Sequence, residues 1–142
     1  MDYTQFKYAE QLKKLHGCPP SDYKETQRSA YRFIKEDSLH PDNFTPVSIL
    51  KPNRCFKNEK SACAALGLSM FENKDKAKQF FRQRVRKFPR FAKIVGNHLA
   101  TLNVEIKDGI ASKPEKLNFG HITFHEYLWC DFYQKIKETE PI

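Results

Sequence analysis

One amphipathic segment in the middle of the chain constrains the fold more than any other feature. Within residues 74–88, apolar side chains recur at helical spacing, and Pro89 follows the last of them. Asn73 stands where a helix N-cap belongs, and a proline ends a helix at the residue before it. The apolar members of the segment are Ala77, Phe80, Phe81, Val85 and Phe88. They form one stripe, so the sequence predicts a long helix that buries an aromatic face against a second layer.

The second layer is predicted to be a sheet. Residues 30–34 place Tyr31 and Phe33 on one face, residues 101–106 alternate between polar and apolar, and residues 120–129 alternate around two histidines. Alternation with a period of two is typical of half-buried strands. Residues 68–71 form a further strand or a connector, and Asp108-Gly109 is predicted to be a turn.

Shorter signals complete the fold prediction. Residues 2–15 and 59–66 have helical patterns, which end at Gly17 and Gly67. Three prolines within residues 36–58 predict a long loop, with a short edge strand as an option at 47–50. Residues 131–137 form a final helical turn or fray. We expect a single α+β domain over residues 1–142, with a small antiparallel sheet packed against two or three helices.

The positive charge of the chain is concentrated in one segment. The chain carries 25 Lys and Arg against 17 Asp and Glu, a formal net charge of +8. Residues 74–93 contain nine basic residues and one acidic residue, Asp75, so their net charge of +8 equals that of the whole chain. On the predicted helix, Lys74, Lys78, Arg82 and Arg86 form a row with a step of four, and like charges at that spacing destabilise a helix. Such a row indicates a surface that meets an anion.

Nucleic acid is the first partner predicted for this row, because repeated phosphates match repeated cations. The residues predicted to bind the anion are Lys74, Lys78, Arg82, Arg86, Lys87 and Arg90. An acidic protein would satisfy the same charges, which leaves a protein-interaction or regulatory subunit as an alternative. The structural alternative is a row that is solvated, or neutralised by acidic groups elsewhere in the fold. A membrane-surface helix is disfavoured, because Phe80, Phe81 and Phe88 are needed for the core.

A histidine-bearing strand offers different chemistry. His121, Thr123 and His125 alternate onto one predicted face, and imidazoles act as phosphate ligands or general acids and bases near neutral pH. The tetrad His121-Ile122-Thr123-Phe124 resembles the His-x-Thr-hydrophobic motif of the two-histidine phosphoesterases. Those enzymes use two such motifs, whereas this chain has one. A phosphoesterase-type enzyme using His121, Thr123 and His125 is therefore an alternative function, and ordinary half-buried packing is the structural alternative.

No metal and no cofactor are predicted. On a strand that rises about 3.3 Å per residue, His121 and His125 lie about 13 Å apart, too far to share one ion. The sequence has no G-x-G-x-x-G, P-loop or G-x-S-x-G motif, so it predicts neither a nucleotide-binding fold of these classes nor a serine hydrolase. Arg32, which precedes the proline-rich loop, either lines a pocket or is a surface charge.

The cysteines and the N-terminal residues give an expectation for the cellular compartment of the protein. Four cysteines are present, at positions 18, 55, 63 and 130, and none forms a C-x-x-C pair. No apolar export signal begins the chain, so we expect reduced, mostly buried thiols and a cytoplasmic location. No stretch approaches the roughly 18 apolar residues that span a bilayer. The sequence leaves the oligomeric state undetermined.

Overall fold

The computed structural model describes residues 2–142 and places a six-stranded antiparallel sheet at the centre of the fold. The strand order is β4-β5-β2-β1-β3-β6. The strands are β1 (Arg28–Ile34), β2 (Leu68–Phe71), β3 (His98–Val104), β4 (Gly109–Ala111), β5 (His121–Glu126) and β6 (Ile136–Pro141). The α-helices within these residues are α1 (Ala9–Lys13), α2 (Val47–Leu50), α3 (Glu59–Ala64), α4 (Lys74–Lys87) and α5 (Phe91–Val95).

The α+β class is confirmed, and the sheet is larger than the small one predicted. The two strands that the sequence did not indicate, β4 and β6, lie at the edges of the sheet. β4 has three residues, too few to show alternation. β6 reads Ile-Lys-Glu-Thr-Glu-Pro, a polar sequence that is mostly exposed and pairs with β3 on one side only. Residues 131–137, predicted as a helical turn or a frayed end, form a short 3-10 helix at Phe132–Lys135 that leads directly into β6.

The long helix α4 matches its prediction closely. Asn73 caps it by accepting a hydrogen bond from the Lys76 backbone N–H at 3.1 Å, and the helix ends just before Pro89. Ala77 and Phe81 are buried against the sheet. Phe80 lies 5.0 Å from the ring of Phe71 on β2, centroid to centroid. The aromatic stripe therefore packs on one face of the sheet, as an amphipathic helix requires.

The opposite face of the sheet carries the larger apolar cluster. Its buried members from the strands are Ala30, Ile34, Leu68, Met70, Ala100, Leu102, Val104, Ala111, Ile122 and Phe124. Phe44 and Phe132 cover them from the proline-rich loop and from the 3-10 helix before β6. Successive side chains of a strand point to opposite faces of the sheet. Both faces carry apolar side chains here, so each face needs a layer that covers it.

Three local predictions are wrong. Residues 47–50 form helix α2 rather than an edge strand. Residues 2–15 do not form one helix, because Phe6 is extended and bridges to Tyr127, which splits the segment into a 3-10 turn and α1. Asp108-Gly109 is not a free turn. The buried Asp108 carboxylate accepts the Glu105 backbone N–H at 2.7 Å, and Gly109 begins β4.

The expectation of four reduced cysteines is also wrong for one pair. Cys18 and Cys63 form a disulfide, while Cys130 is a buried free thiol and Cys55 an exposed one. The two bonded residues are 45 positions apart. The segment after α1 and the helix α3 bring them together in a small cluster that also contains Phe6, Leu12 and Tyr127. Sequence spacing does not reveal such a pair, because only the tertiary fold makes the two residues neighbours.

Within residues 2–142, no helix combines the length and the apolar composition that crossing a bilayer demands.

Candidate functional site

The N-terminal half of the basic row on α4 is neutralised within the fold. The Lys74 ammonium lies 2.8 Å from Glu138 Oε1 and 3.4 Å from Glu140 Oε2, both on β6. The Lys78 ammonium lies 2.5 Å from Glu140 Oε1. Hydrogen bonds from these lysines lower the pKa of the Glu138 and Glu140 carboxyls below the usual range for glutamate. Asp75 is thus not the only acid near the row, and Lys74 and Lys78 already have counter-ions.

The C-terminal half of the same helix and the turn that follows it have no such partners among residues 2–142. Arg82, Arg86, Lys87 and Arg90 are all exposed. Within residues 2–142, none of them forms an ion pair with a carboxylate. We call these four residues the basic surface. They belong to the set of six predicted from the sequence, and the structure divides that set into two paired residues, Lys74 and Lys78, and four unpaired ones.

A groove runs along one side of α4, next to the C-terminal residues of the chain. Lys78, Arg82 and Arg86 line it, as the predicted step of four requires, and its volume is about 420 Å³. Its apolar floor consists of Phe81, Val85, Pro141 and Ile142. The groove is a place where a chain of anionic groups can lie against a row of cations.

An exposed aromatic ring stands at the end of the basic surface. Phe88 is 57% exposed, although the sequence analysis assigned it to the core. It follows the last residue of α4, where the backbone leaves the helix, so the ring points away from the buried stripe. The Arg84 guanidinium carbon lies 4.9 Å from the Phe80 ring centroid and 6.0 Å from that of Phe88. An unburied ring beside cations was missed because periodicity alone cannot tell the last core position from the first exposed one.

The histidine strand is mostly covered. Thr123 and His125 are buried, and His121 is partly exposed. Gly67, after α3, packs so closely on β5 that a Cβ there would lie 3.0 Å from the Thr123 methyl. The ring of Tyr23 lies 5.8 Å from that of His125. Alternation placed the three side chains on one face correctly, but the expected open face is closed over Thr123 and His125.

The environment of His125 keeps its imidazole neutral. Burial lowers the pKa of His125 to about 4. Its Nε2 lies 3.9 Å from Cys63 Sγ, and the ligand atoms of Cys18, Cys63 and His125 all lie within 4.8 Å of one another. Cysteine binds a metal as a thiolate, but here the two sulfurs are bonded to each other in the disulfide. The group is therefore a buried disulfide beside a neutral imidazole.

A second cavity, which we call the cleft, lies between the sheet and helices α2, α4 and α5. Its volume is about 420 Å³, and it is lined by side chains from β1, β2 and β5 as well as from the helices. Arg32, Arg84 and His121 are among them. The histidine strand and the basic helix thus meet in one cavity, through Arg84 and not through the predicted row. The sequence allows two roles for Arg32, a pocket residue or a surface charge, and in the structure Arg32 lines the cleft.

No family model, curated protein or solved structure matches the chain. The basic surface presents cations without counter-ions, and the cleft presents cations beside aromatic rings. Neither of the two sites contains the pair of histidines that the phosphoesterase alternative requires, because His121 is the only histidine among the described residues that lines the cleft.

Proposed function

We propose that this chain binds single-stranded nucleic acid through the basic surface and Phe88. The observation that carries the proposal is the division of the row on α4. Lys74 and Lys78 have carboxylates from β6, whereas Arg82, Arg86 and their neighbours have none among residues 2–142. A fold that supplies counter-ions to one half of a helix and leaves the other half bare presents the bare half to an anion from outside.

The charges favour a polyanion with regular spacing. Arg82 and Arg86 are one helical turn apart and face the same groove. Like charges at this distance repel, and phosphates relieve the repulsion while releasing condensed counter-ions to the solvent. Arginine can also hold a phosphate through two parallel N–H donors, which orders the contact as well as strengthening it. The basic surface therefore matches successive phosphates of a strand.

The exposed ring favours single strands over duplexes and over acidic proteins. Phe88 lies between Lys87 and Pro89, next to the cations, and more than half of its side chain is exposed. An unpaired base can stack on such a ring, and each base–aromatic stack contributes about 1–3 kcal/mol. Bases inside a duplex are already stacked on one another, and the carboxylates of an acidic protein have no planar ring that could stack on Phe88. The combination of cations and one free ring is typical of surfaces that bind single strands.

A cytoplasmic setting belongs to the same proposal. The buried disulfide does not contradict it, because Cys18 and Cys63 are 1% and 4% exposed and a reductant reaches them only when the fold opens. Rapid alkylation of thiols in cells lysed directly into denaturant tests this point, because the buried Cys130 reacts only once the chain unfolds. Two reactive thiols, from Cys55 and Cys130, indicate that the disulfide persists, and four indicate the reduced state first expected.

The test is a fluorescence anisotropy titration of labelled single-stranded DNA and RNA across a salt series. Four phosphate contacts give a log–log salt slope of about −3, from about 0.7 per contact on a single strand. The Arg82→Ala/Arg86→Ala variant should show about half this slope and a weaker affinity. The matched control is Lys57→Ala/Lys60→Ala, which removes two exposed cations that form no ion pair among residues 2–142 and leaves the slope unchanged.

Phe88→Ala separates nucleic acid from an acidic protein partner. The variant should lower single-strand affinity by about 5- to 150-fold and keep the salt slope, because it removes stacking and no charge. Equal loss in the two double variants, or no binding at low salt, would refute nucleic-acid binding by this surface. Retention of an acidic protein by the wild type and by Phe88→Ala, without any strand binding, would assign the surface to protein recognition.

A further inference from the structure

We infer that the cleft binds the phosphate ester of a nucleoside, with Arg32 holding the phosphate and the phenylalanine rings holding the base. This site is separate from the basic surface, and none of the four residues of that surface lines it. The inference does not depend on the proposed function. It rests on an unpaired cation, on the rings beside that cation, and on the size of the cavity.

Arg32 is a cation with no carboxylate in direct contact, although the buried Glu126 carboxylate acts on it from beyond ion-pair distance and partly offsets the lowering of its pKa. Its Nε donates to the Asn43 carbonyl and its Nη1 to the Ser69 carbonyl, each at 2.8 Å. It forms no ion pair among residues 2–142. Loss of hydration lowers the pKa of Arg32 to about 10, so the guanidinium is still charged at neutral pH. A desolvated charge is costly unless an opposite charge meets it.

The two carbonyls fix the direction of this cation. They hold two of the three guanidinium nitrogens and leave Nη2 for a further acceptor. Position and orientation are thus set before any ligand arrives, which lowers the ordering cost of binding. The same hydrogen bonds tie the loop at Asn43 to β2, so the guanidinium is part of the frame of the cleft.

The other charged groups in the cleft add to a positive field. Arg84 and Lys35 also line it, and Asp42 is the one acidic side chain among the described residues that do so. Lys35 Nζ donates to the Lys93 and Ile94 carbonyls at 2.7 and 2.8 Å, and no carboxylate of residues 2–142 forms an ion pair with it. His121 contributes a neutral ring, because burial lowers its pKa and the charge of Arg32 lowers it further, against the opposing effect of Glu115. A dianionic phosphate fits this excess of permanent cations better than a single carboxylate does.

Aromatic rings form one wall of the cleft. Phe33, Phe71, Phe80 and Phe91 line it, and the centroids of Phe71 and Phe80 are 5.0 Å apart. Phe91 lies 6.2 Å from Phe80 with its plane at 66°. Flat rings at such angles accept a flat ligand group against a face or an edge. The wall thus suits a planar heterocycle rather than a flexible alkyl chain.

Polar groups and size narrow the ligand further. Ser69 and Asn118 line the cleft, and neither side chain forms a hydrogen bond to another of the described residues. A hydroxyl and an amide can pair with the edge of a base or with a sugar hydroxyl. The volume of about 420 Å³ lies within the range of small-molecule sites. One nucleotide carries the charge, the flat ring and the polar edges that this cavity offers.

The ligand can be a free nucleotide or the phosphorylated end of a strand, because the chemistry of recognition is the same. Isothermal titration calorimetry with adenosine monophosphate, adenosine and inorganic phosphate tests the class. We expect adenosine monophosphate to bind with a Kd below about 1 mM, and at least about 10-fold more tightly than either fragment. A 5′-phosphorylated dinucleotide that displaces it assigns the strand end, and failure to displace it assigns the free nucleotide.

Two variants locate the binding. Ser69→Leu fills the cleft without changing any charge and should abolish binding of adenosine monophosphate. Arg32→Lys keeps the charge but removes the fork, and should weaken binding by about 10- to 100-fold. Ser69→Leu keeps the inference testable if Arg32→Lys disturbs the loop at Asn43, which a thermal melt of each variant reports.

The control is Arg82→Ala/Arg86→Ala, which lies outside the cleft. It should lose single strands and still bind adenosine monophosphate, whereas Ser69→Leu should do the reverse. Failure of the cleft and failure of the proposed function are thus distinguishable. Adenosine monophosphate binding that survives Ser69→Leu would overturn the inference, as would no measurable binding to the wild type. Equal affinity for phosphate alone would overturn the role of the rings.

Discussion

The ion pairs between α4 and β6 make a gain-of-function prediction. Replacing Glu138 and Glu140 with glutamine keeps the size and polarity of both side chains and removes the counter-ions of Lys74 and Lys78. The four unpaired cations of the basic surface are then joined by Lys74 and Lys78, which makes six. Because the freed lysines lie on the side of the helix that carries Arg82, we expect the Glu138→Gln/Glu140→Gln variant to bind single strands more tightly than the wild type.

The magnitude follows from the number of phosphates contacted. Four contacts give a log–log salt slope of about −3, and six give about −4, from about 0.7 per contact. If the two affinities converge near 1 M salt, an extra slope of about 1.4 makes the variant about 25-fold tighter at about 0.1 M salt. The gain should vanish as the salt concentration rises, because screening removes the extra attraction.

The assay is the anisotropy titration, with a control that matches the change in net charge. Asp22→Asn/Glu36→Gln also removes two negative charges, from exposed residues that form no ion pair within the described part of the chain. It should change affinity much less and leave the slope near that of the wild type. An equal gain in both variants would mean that only total charge matters. No gain in Glu138→Gln/Glu140→Gln would refute the reasoning that β6 masks the first half of the basic row.

Three further predictions concern the stability of the fold. Reducing the Cys18–Cys63 disulfide, which joins residues 45 positions apart, should lower the free energy of unfolding by about 4 kcal/mol in urea denaturation; an unchanged midpoint would contradict this. Because the folded pKa of His125 lies near 4, below its usual 6.5, the unfolded chain takes up the proton first as pH falls. Between pH 7 and pH 4 the wild type should therefore lose about 3 kcal/mol more than His125→Gln, and parallel pH profiles would count against it. Lys7→Met leaves the buried Glu126 carboxylate, 2.6 Å from Lys7 Nζ, without its partner and should cost about 3 kcal/mol. That loss should be larger at pH 8 than at pH 5, because burial raises the pKa of Glu126.

Local patterns in the sequence predicted the elements that local interactions determine. The limits of α4 followed from a cap, a proline and one apolar stripe, all within 17 residues of chain. The faces of β5 followed from simple alternation, since His121, Thr123 and His125 do share one side of the sheet. Such features depend on neighbours along the chain, and the sequence displays them directly.

Features that depend on distant neighbours were missed. β6 has a polar sequence, and only its pairing with β3 makes it a strand. That pairing brings Glu138 and Glu140 to α4 and changes the meaning of the basic row. The Cys18–Cys63 disulfide and the cover over His125 likewise arise from α3 meeting the segment after α1. No periodicity records a contact between residues so far apart in the chain.

The cleft was hidden for the same reason. Arg32 lies on β1, Arg84 on α4 and His121 on β5, and the fold alone places them around one cavity. A pocket is one of the two roles that the sequence predicts for Arg32, but the sequence does not show which residues share that pocket. A site of this kind can be recognised only from the tertiary structure, which shows the charged residues that have no ion-pair partner and that line the same cavity.

The measurement that tests the central claim most directly is an NMR titration of the isotope-labelled chain with a short single-stranded oligonucleotide. The claim is that the unpaired half of α4 and Phe88 form the binding surface. It predicts that the largest amide shift changes lie within residues 82–90, with smaller changes at Lys74 and Lys78, which the Glu138→Gln/Glu140→Gln variant increases. Shift changes concentrated elsewhere, or none at low salt, would contradict the claim.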